Sequence, residues 1–338
     1  MFKNLFPLFL LIAKAVLALE LPKAAEGDPI VIAKKRIVLD AFPDAWNPAL
    51  FKINEGYLLS FRYTPDRFEE LWLSYIGVVI LNEKFEPISE PELLNTRGKN
   101  SKTPSQSEDA RIFNYRGRIF LIYNDNIDAT GPKIWDRRDM FMAELLHSGY
   151  HFSLSSPLKL VCEEKKFVRS CEKNWVPFEW NKTMMLGYTI DPHEVLYPNL
   201  TNGECYHCYE SFPRIKWDFG TLRGGTPAIL VDGEYLSFFH SGIVLASPAS
   251  FGIELWHYFM GAYTFSPEPP FRIKKMTPTP IMSDGFYTES FLPKRVIFPG
   301  GFVEEGPYLY LAYGKDDCEI WIATIDKGAL KKAMIPVE

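Results

Sequence analysis

Cysteine is scarce: five residues in 338, an odd number, at Cys162, Cys171, Cys205, Cys208 and Cys318. A chain this long buries a core without disulfide staples, so no cysteine framework is needed for folding. The pairs Cys162–Cys171 and Cys205–Cys208 are permitted in an oxidising compartment, and spacing does not fix the pairing. Cys205-Tyr-His-Cys208 has no second CxxC or His pair at suitable spacing, so no metal site is expected. Basic charge is thin: 37 Lys and Arg against 42 Asp and Glu, a net charge of −5, with no Lys/Arg run. This argues against nucleic-acid binding through a basic face. The P-loop Lys-Ser/Thr and the Rossmann glycine spacing are missing, and no cofactor is expected. Sustained helical periodicity is absent, so helices beyond the N-terminus should be few and short. After the first 20 residues no apolar run is long enough to span a membrane.

Aromatic residues are plentiful at 15%, alongside 26 Pro and 22 Gly. Aromatics favour strands, and this much Pro and Gly implies many turns. An all-β chain follows. Residues 1–20 place Lys3 before an apolar stretch and small residues Ala13, Ala15 and Ala18 after it. That is the plan of a secretory signal peptide, so export to a periplasm, the medium or a secretory lumen is expected. Residues 28–338 are expected to form a single domain.

One phrase recurs along that domain: an apolar strand, a tight turn, then an aromatic-rich strand ending in a polar residue. Its copies are LFKINEGYLLSFR (50–62), RIFNYRGRIFLIYND (111–125), VPFEWNKTMMLGYT (176–189), AILVDGEYLSFFHS (228–241) and GGFVEEGPYLYLAYGKDD (300–317). The spacing, roughly 50–75 residues, is near the period of a four-stranded propeller blade. A five-bladed β-propeller with a central funnel-shaped site is the predicted architecture. Residues at equivalent strand ends then line the channel: Arg62, Asn124, Thr189, His240, and Gly314 with Asp316 and Asp317 beyond it.

Five polar constellations flank these copies. Asp44-Ala-Trp-Asn47-Pro48 leads into the first strand, so Asn47 and Arg62 bracket one hairpin. Ser107-Glu-Asp109-Ala-Arg111 opens the second copy. Glu172-Lys173-Asn174-Trp175 opens the third, with a ring to stack on a sugar and donors for hydroxyls. Arg223-Gly-Gly-Thr-Pro lets backbone N–H groups approach an anion. Tyr313-Gly-Lys-Asp-Asp317 closes the fifth.

Taken in order, these segments resemble family 130 of the glycoside hydrolases, the β-mannoside phosphorylases and hydrolases with a five-bladed propeller fold. Asn47-Pro48 with Arg62 resembles its Asn-Pro and strand-end Arg pair. Glu108-Asp109-Ala110-Arg111 resembles its Glu-Asp-Pro-Arg motif, with Ala110 standing where the family has Pro. Lys173-Asn174, Phe239-His240, Tyr258-Phe-Met-Gly261 and Tyr313-Gly314 to Asp317 resemble its later motifs. The likeness runs across residues 43–317 and extends to related mannosyltransferases on the same scaffold. It implies a carbohydrate-active enzyme that cleaves or forms β-mannosidic bonds by an inverting single displacement, with Asp109 as proton donor and phosphate as nucleophile. It implies an oligosaccharide or glycoside substrate held by Asn47, Arg62, Arg111, Lys173, Asn174, Trp175 and Asp317. Phosphate would be held by Arg169, Arg223, His240 and Tyr258. The alternatives are a mannosyltransferase, an inverting hydrolase and a non-catalytic glycan-binding propeller. An inverting hydrolase needs a second carboxylate as base, and Asp317, Glu172 and Glu289 are the choices.

Overall fold

The computed structural model describes residues 29–66, 73–97, 105–126, 138–165, 171–247, 250–290 and 292–338. The expected signal peptide and Arg169 lie outside them. Strand is the dominant secondary structure of the described chain. β1 (Val31–Ile37) precedes a first antiparallel unit of β2 (Trp46–Ile53), β3 (Gly56–Tyr63), β4 (Tyr75–Leu81) and β5 (Glu92–Leu93). The second unit holds β6 (Glu108–Tyr115), β7 (Arg118–Asp125), β8 (Asp139–Ser148), β9 (His151–Leu154) and β10 (Leu158–Leu160). The third is β11 (Val176–Trp180), β12 (Thr183–Thr189), β13 (His193–Pro198) and β14 (Cys205–Ser211), in that order. The fourth is built from β15 (Thr221–Gly224), β16 (Ile229–Val231), β17 (Glu234–Ala246), β18 (Glu254–Phe265) and β19 (Ile273–Met276). The fifth contains β20 (Lys294–Glu305), β21 (Tyr308–Lys315) and β22 (Glu319–Asp326), with β1 pairing antiparallel to β22 as its outer strand. A short parallel ladder between β18 and β20 joins the fourth and fifth units into one sheet. Among the described residues the one α-helix, α1 (Lys327–Ala333), is capped where Ala329 N donates to the Asp326 carboxylate at 2.7 Å; β23 (Ile335–Pro336) follows. No described helix is long and apolar enough to cross a membrane.

Each repeated phrase of the sequence is an antiparallel hairpin here: β2–β3, β6–β7, β11–β12, β16–β17 and β20–β21. Three of the turns place two successive residues at positive φ: Arg116-Gly117, Asn181-Lys182 and Asp232-Gly233. That backbone matches the right-handed twist of the flanking strands, which explains the polar and glycine turns.

The core divides between the units. Leu58 and Val78 of the first pack with Ile112 and Leu121 of the second. Ile122 and Met142 meet Trp175 and Leu186 of the third, and Val176 and Phe178 meet Phe239 and Tyr263 of the fourth. Phe238 and Phe259 meet Ile297 and Leu311 of the fifth, whose Ala312 and Ile322 return to Leu50 and Leu59 of the first. Consecutive units share a core, and the fifth shares one with the first.

Candidate functional site

The site begins at the heads of the inner strands. Asn47 at β2, Asp109 at β6 and Asn174 just before β11 all have positive φ, at 44°, 53° and 65°. A non-glycine residue pays conformational energy there, and such outliers cluster where a side chain must be aimed. The ladders slip at two of these places, between Trp46 and Ala49 and between Glu108 and Arg111. A bulge of this kind bends the strand and re-aims its side chains.

The bulges bring Asn47, Arg62 and Asp109 together. Asn47 Nδ2 donates to Asp109 Oδ1 at 2.9 Å, and an Arg62 terminal nitrogen reaches the same oxygen at 3.4 Å. Among the described residues Asp109 Oδ2 takes no hydrogen bond. Arg62 is buried, donates to Ser74 Oγ at 2.9 Å and Glu108 Oε1 at 2.6 Å, and lies 4.1 Å from the Trp46 ring centre. Glu108 also pairs with Arg138 at 3.0 Å and Lys173 at 3.1 Å. Burial alone would raise the Glu108 carboxyl, but Arg62, Lys173 and Arg138 together hold it well below the ordinary range. Glu108 and Arg138 are central to this network, and sequence reasoning gave them no role. Glu108 was legible as part of its motif; Arg138 carries no signal.

The remaining expected residues divide. Lys173 and Asn174 line a cleft of about 390 Å³ with Tyr188, Thr189, Arg223 and Gly224. Arg223 pairs in register with His240, and its guanidinium lies 6.0 Å from the Tyr258 ring. His240 is fully buried, packs 4.5 Å from the Phe298 ring, and its Nδ1 has no partner among the described residues. Burial, then Arg223 and Arg111, push its pKa well below the usual imidazole value, so it is neutral. Asp317 is ion-paired to Lys294, whose ammonium is 5.9 Å from the Trp46 ring.

Two expectations are corrected. Arg111 was expected to bind substrate, but it is 1% exposed and its donors are consumed internally. Nε donates to Gly225 O at 2.9 Å, one terminal nitrogen to Asp109 O at 2.6 Å, and the other to Asn174 Oδ1 at 3.0 Å. It clamps the second unit to the third and fourth. Trp175 was expected to stack on a sugar, but it is 1% exposed in the core, edge-on to Tyr188, with Nε1 donating to Glu172 at 3.2 Å. Its face is not available to a ligand. Glu172 also accepts from Tyr188 Oη at 3.1 Å, and Glu289 is solvent-exposed, so neither is poised as a base beside Asp109.

No protein-family model matches the sequence, and no curated protein does. Solved structures do. A β-1,2-mannobiose phosphorylase from Listeria innocua, in complex with β-1,2-mannobiose, superposes with a TM-score of 0.57 at 15% identity, covering 91% of this chain and 94% of that one. A structure from the family 130 mannoside phosphorylases, described as containing glycoside hydrolases that target β-1,2 mannosidic linkages in Candida mannan, gives 0.59 at 15% identity over 95% and 96%. A mannose phosphorylase from Leishmania mexicana, in complex with a phosphate ion, gives 0.58 at 11% identity over 92% of both chains.

The fold is that of glycoside hydrolase family 130.

Within that fold the cluster around Asp109 and the cleft beside Arg223 and His240 adjoin. Lys173 contacts Glu108 and lines the cleft; Arg111 packs 5.3 Å from the same Phe298 ring that His240 touches.

Proposed function

We propose that this chain is a carbohydrate-active enzyme on a five-bladed propeller, and that it cleaves or forms β-mannosidic bonds with inversion, using phosphate as nucleophile. The observation that carries this reading is the carboxyl of Asp109: Oδ1 is pinned by Asn47 and Arg62 while Oδ2 has no partner among the described residues. A side chain fixed through one oxygen can hold its other oxygen towards a leaving group. Asp109 then protonates the departing glycosidic oxygen as the bond to the anomeric carbon breaks. Phosphate attacks that carbon from the opposite face, giving mannose 1-phosphate and a free acceptor. Such a reaction needs one carboxylic acid and a set of donors for the anion. Arg223, Tyr258 and His240 Nδ1, which has no partner among the described residues, supply that set. Hydrolysis needs a second carboxylate about 6.5–9.5 Å from the acid. Asp317 is tied to Lys294, and Glu172 to Trp175 and Tyr188, which favours phosphate over water. We include export in this reading, with residues 1–20 as the signal.

The test is incubation with β-1,2- and β-1,4-mannobiose, with and without phosphate. Phosphate-dependent mannose 1-phosphate is expected, and Asp109→Asn should lower turnover by about 10²–10⁴-fold, the usual contribution of a general acid. Free mannose without phosphate would make it a hydrolase, and transfer from GDP-mannose a mannosyltransferase. Glycan binding with no turnover under any condition would overturn the catalytic role.

A further inference from the structure

Two strands out from the site, the third unit carries a second cluster. Glu194 on β13 and His207 and Glu210 on β14 offer ligand atoms that all lie within 4.8 Å of one another. In a regular strand, residues three apart point to opposite faces. Here the ladder slips: Glu194 opposes Glu210 and Val195 opposes Tyr209, but Leu196 opposes His207. Cys208 is the extra residue of a bulge, and it turns His207 onto the face shared by Glu194 and Glu210. His207 Nε2 is buried and, among the described residues, has no hydrogen-bond partner. A buried ring nitrogen left unpaired beside two carboxylates calls for a ligand.

We propose that Glu194, His207 and Glu210 bind a first-row divalent cation of the zinc class. Carboxylate and imidazole are both ordinary ligands for such an ion. An imidazole ligand suits zinc or a neighbouring transition metal, whereas calcium and magnesium favour all-oxygen sets. Zinc bonds to these ligands are about 2.0–2.2 Å long. Glu210 is solvent-exposed and Glu194 buried, so rotation of Glu210 closes the set and water takes the open side. The ion bridges β13 to the edge strand β14 and acts as a clip on the outer hairpin. The sequence gives no hint of it, because Glu-x₁₂-His-x₂-Glu becomes a ligand set only through the bulge.

The experiment titrates Co²⁺ and Zn²⁺ into the metal-stripped full-length chain, following cobalt d–d absorption and zinc calorimetry. One ion per chain is expected, with a raised thermal midpoint at saturating Zn²⁺. His207→Gln and Glu194→Gln should each weaken Zn²⁺ by more than about tenfold, with near-UV circular dichroism confirming that the variants remain folded. Cys208→Ser should bind as the parent does. Absence of binding, binding unchanged in both His207→Gln and Glu194→Gln, or a cobalt–thiolate charge-transfer band lost in Cys208→Ser would overturn the assignment. Mannoside turnover is not a readout, so failure here leaves the proposed reaction standing.

Discussion

At the scale of single residues, the centre of the site is one buried carboxylate, Glu108, facing three cations. It sets the position of Arg62, which in turn reaches Asp109. Burying ions is costly, and removing one partner leaves the other uncompensated. Arg62→Leu should therefore destabilise the protein by about 3–5 kcal/mol, read from urea unfolding, and should abolish turnover. Arg62→Leu combined with Glu108→Leu should lose less than the two single changes summed, because the charges leave together. An additive result would show that the pair does not couple. Asn47 is a positioning residue on this geometry, since its amide meets the Asp109 carboxylate. Asn47→Ala should lower kcat with little change in KM; a rise in KM alone would mean it binds sugar instead. The residue types at the site were readable in the sequence, but their partners were not. Arg62 and Arg111 look alike as strand-start or strand-end arginines. Only the folded chain separates the arginine that faces carboxylates from the one whose donors end on backbone carbonyls and the Asn174 amide oxygen.

At the scale of elements, a repeated device spaces the strands. Phe61 precedes Arg62 on β3 and lies over Gly77 of β4; Phe239 precedes His240 on β17 and lies over Gly261 of β18. A Cβ added at either glycine would sit 2.3 or 2.4 Å from the ring. The glycine makes room for the aromatic, and the aromatic seats the next residue. The fifth unit uses glycine differently: a Cβ on Gly314 would lie 2.2 Å from Asn47 Oδ1. Gly314→Ala should displace Asn47 and, through it, Asp109. Turnover should fall by up to about 10²-fold, the scale of a 1 Å misplacement, while Gly117→Ala, with nothing within 4 Å among the described residues, should leave turnover unchanged. Equal activity of the two variants would mean that Asn47 does not depend on Gly314. The hairpins were legible because alternation and turn chemistry are local. The bulges at Asn47 and Asp109, and the slip that gathers Glu194, His207 and Glu210, depend on pairing between strands, and single-strand patterning does not record it.

At the scale of the whole molecule, stability should depend on pH through buried groups at the seams between units. His193 heads β13, with its ring against Tyr263 and Phe265 of the fourth unit and Nδ1–H donating to Phe271 O at 2.7 Å. Its Nε2 is buried and, among the described residues, has no partner to accept a proton placed there. Burial pushes its pKa down to about 4 from 6.5. The folded state thus prefers neutral His193, while the unfolded chain takes up a proton near 6.5. The stabilisation is complete above pH 6.5 and is lost as pH falls from 6.5 towards 4, by about 3 kcal/mol in all. Glu108 adds a loss of the same sign at lower pH, since its folded carboxyl is held below the unfolded value. Asp316 works in the opposite sense. Burial raises it to about 6, so its contribution favours the folded state below the ordinary carboxylate range and is lost as pH rises through 6. His240, held neutral by the same burial, adds a loss of the same sign as His193, and below pH 6 Asp316 offsets about one of the two. The thermal midpoint should therefore fall on acidification from neutrality. His193→Gln keeps a donor for Phe271 O and removes the titration. Unfolding free energies measured between pH 6.5 and 4.5 should flatten by about one proton's worth, roughly 1.4 kcal/mol per pH unit. A slope as steep in His193→Gln as in the parent would assign the acid sensitivity to His240 and the carboxylates instead.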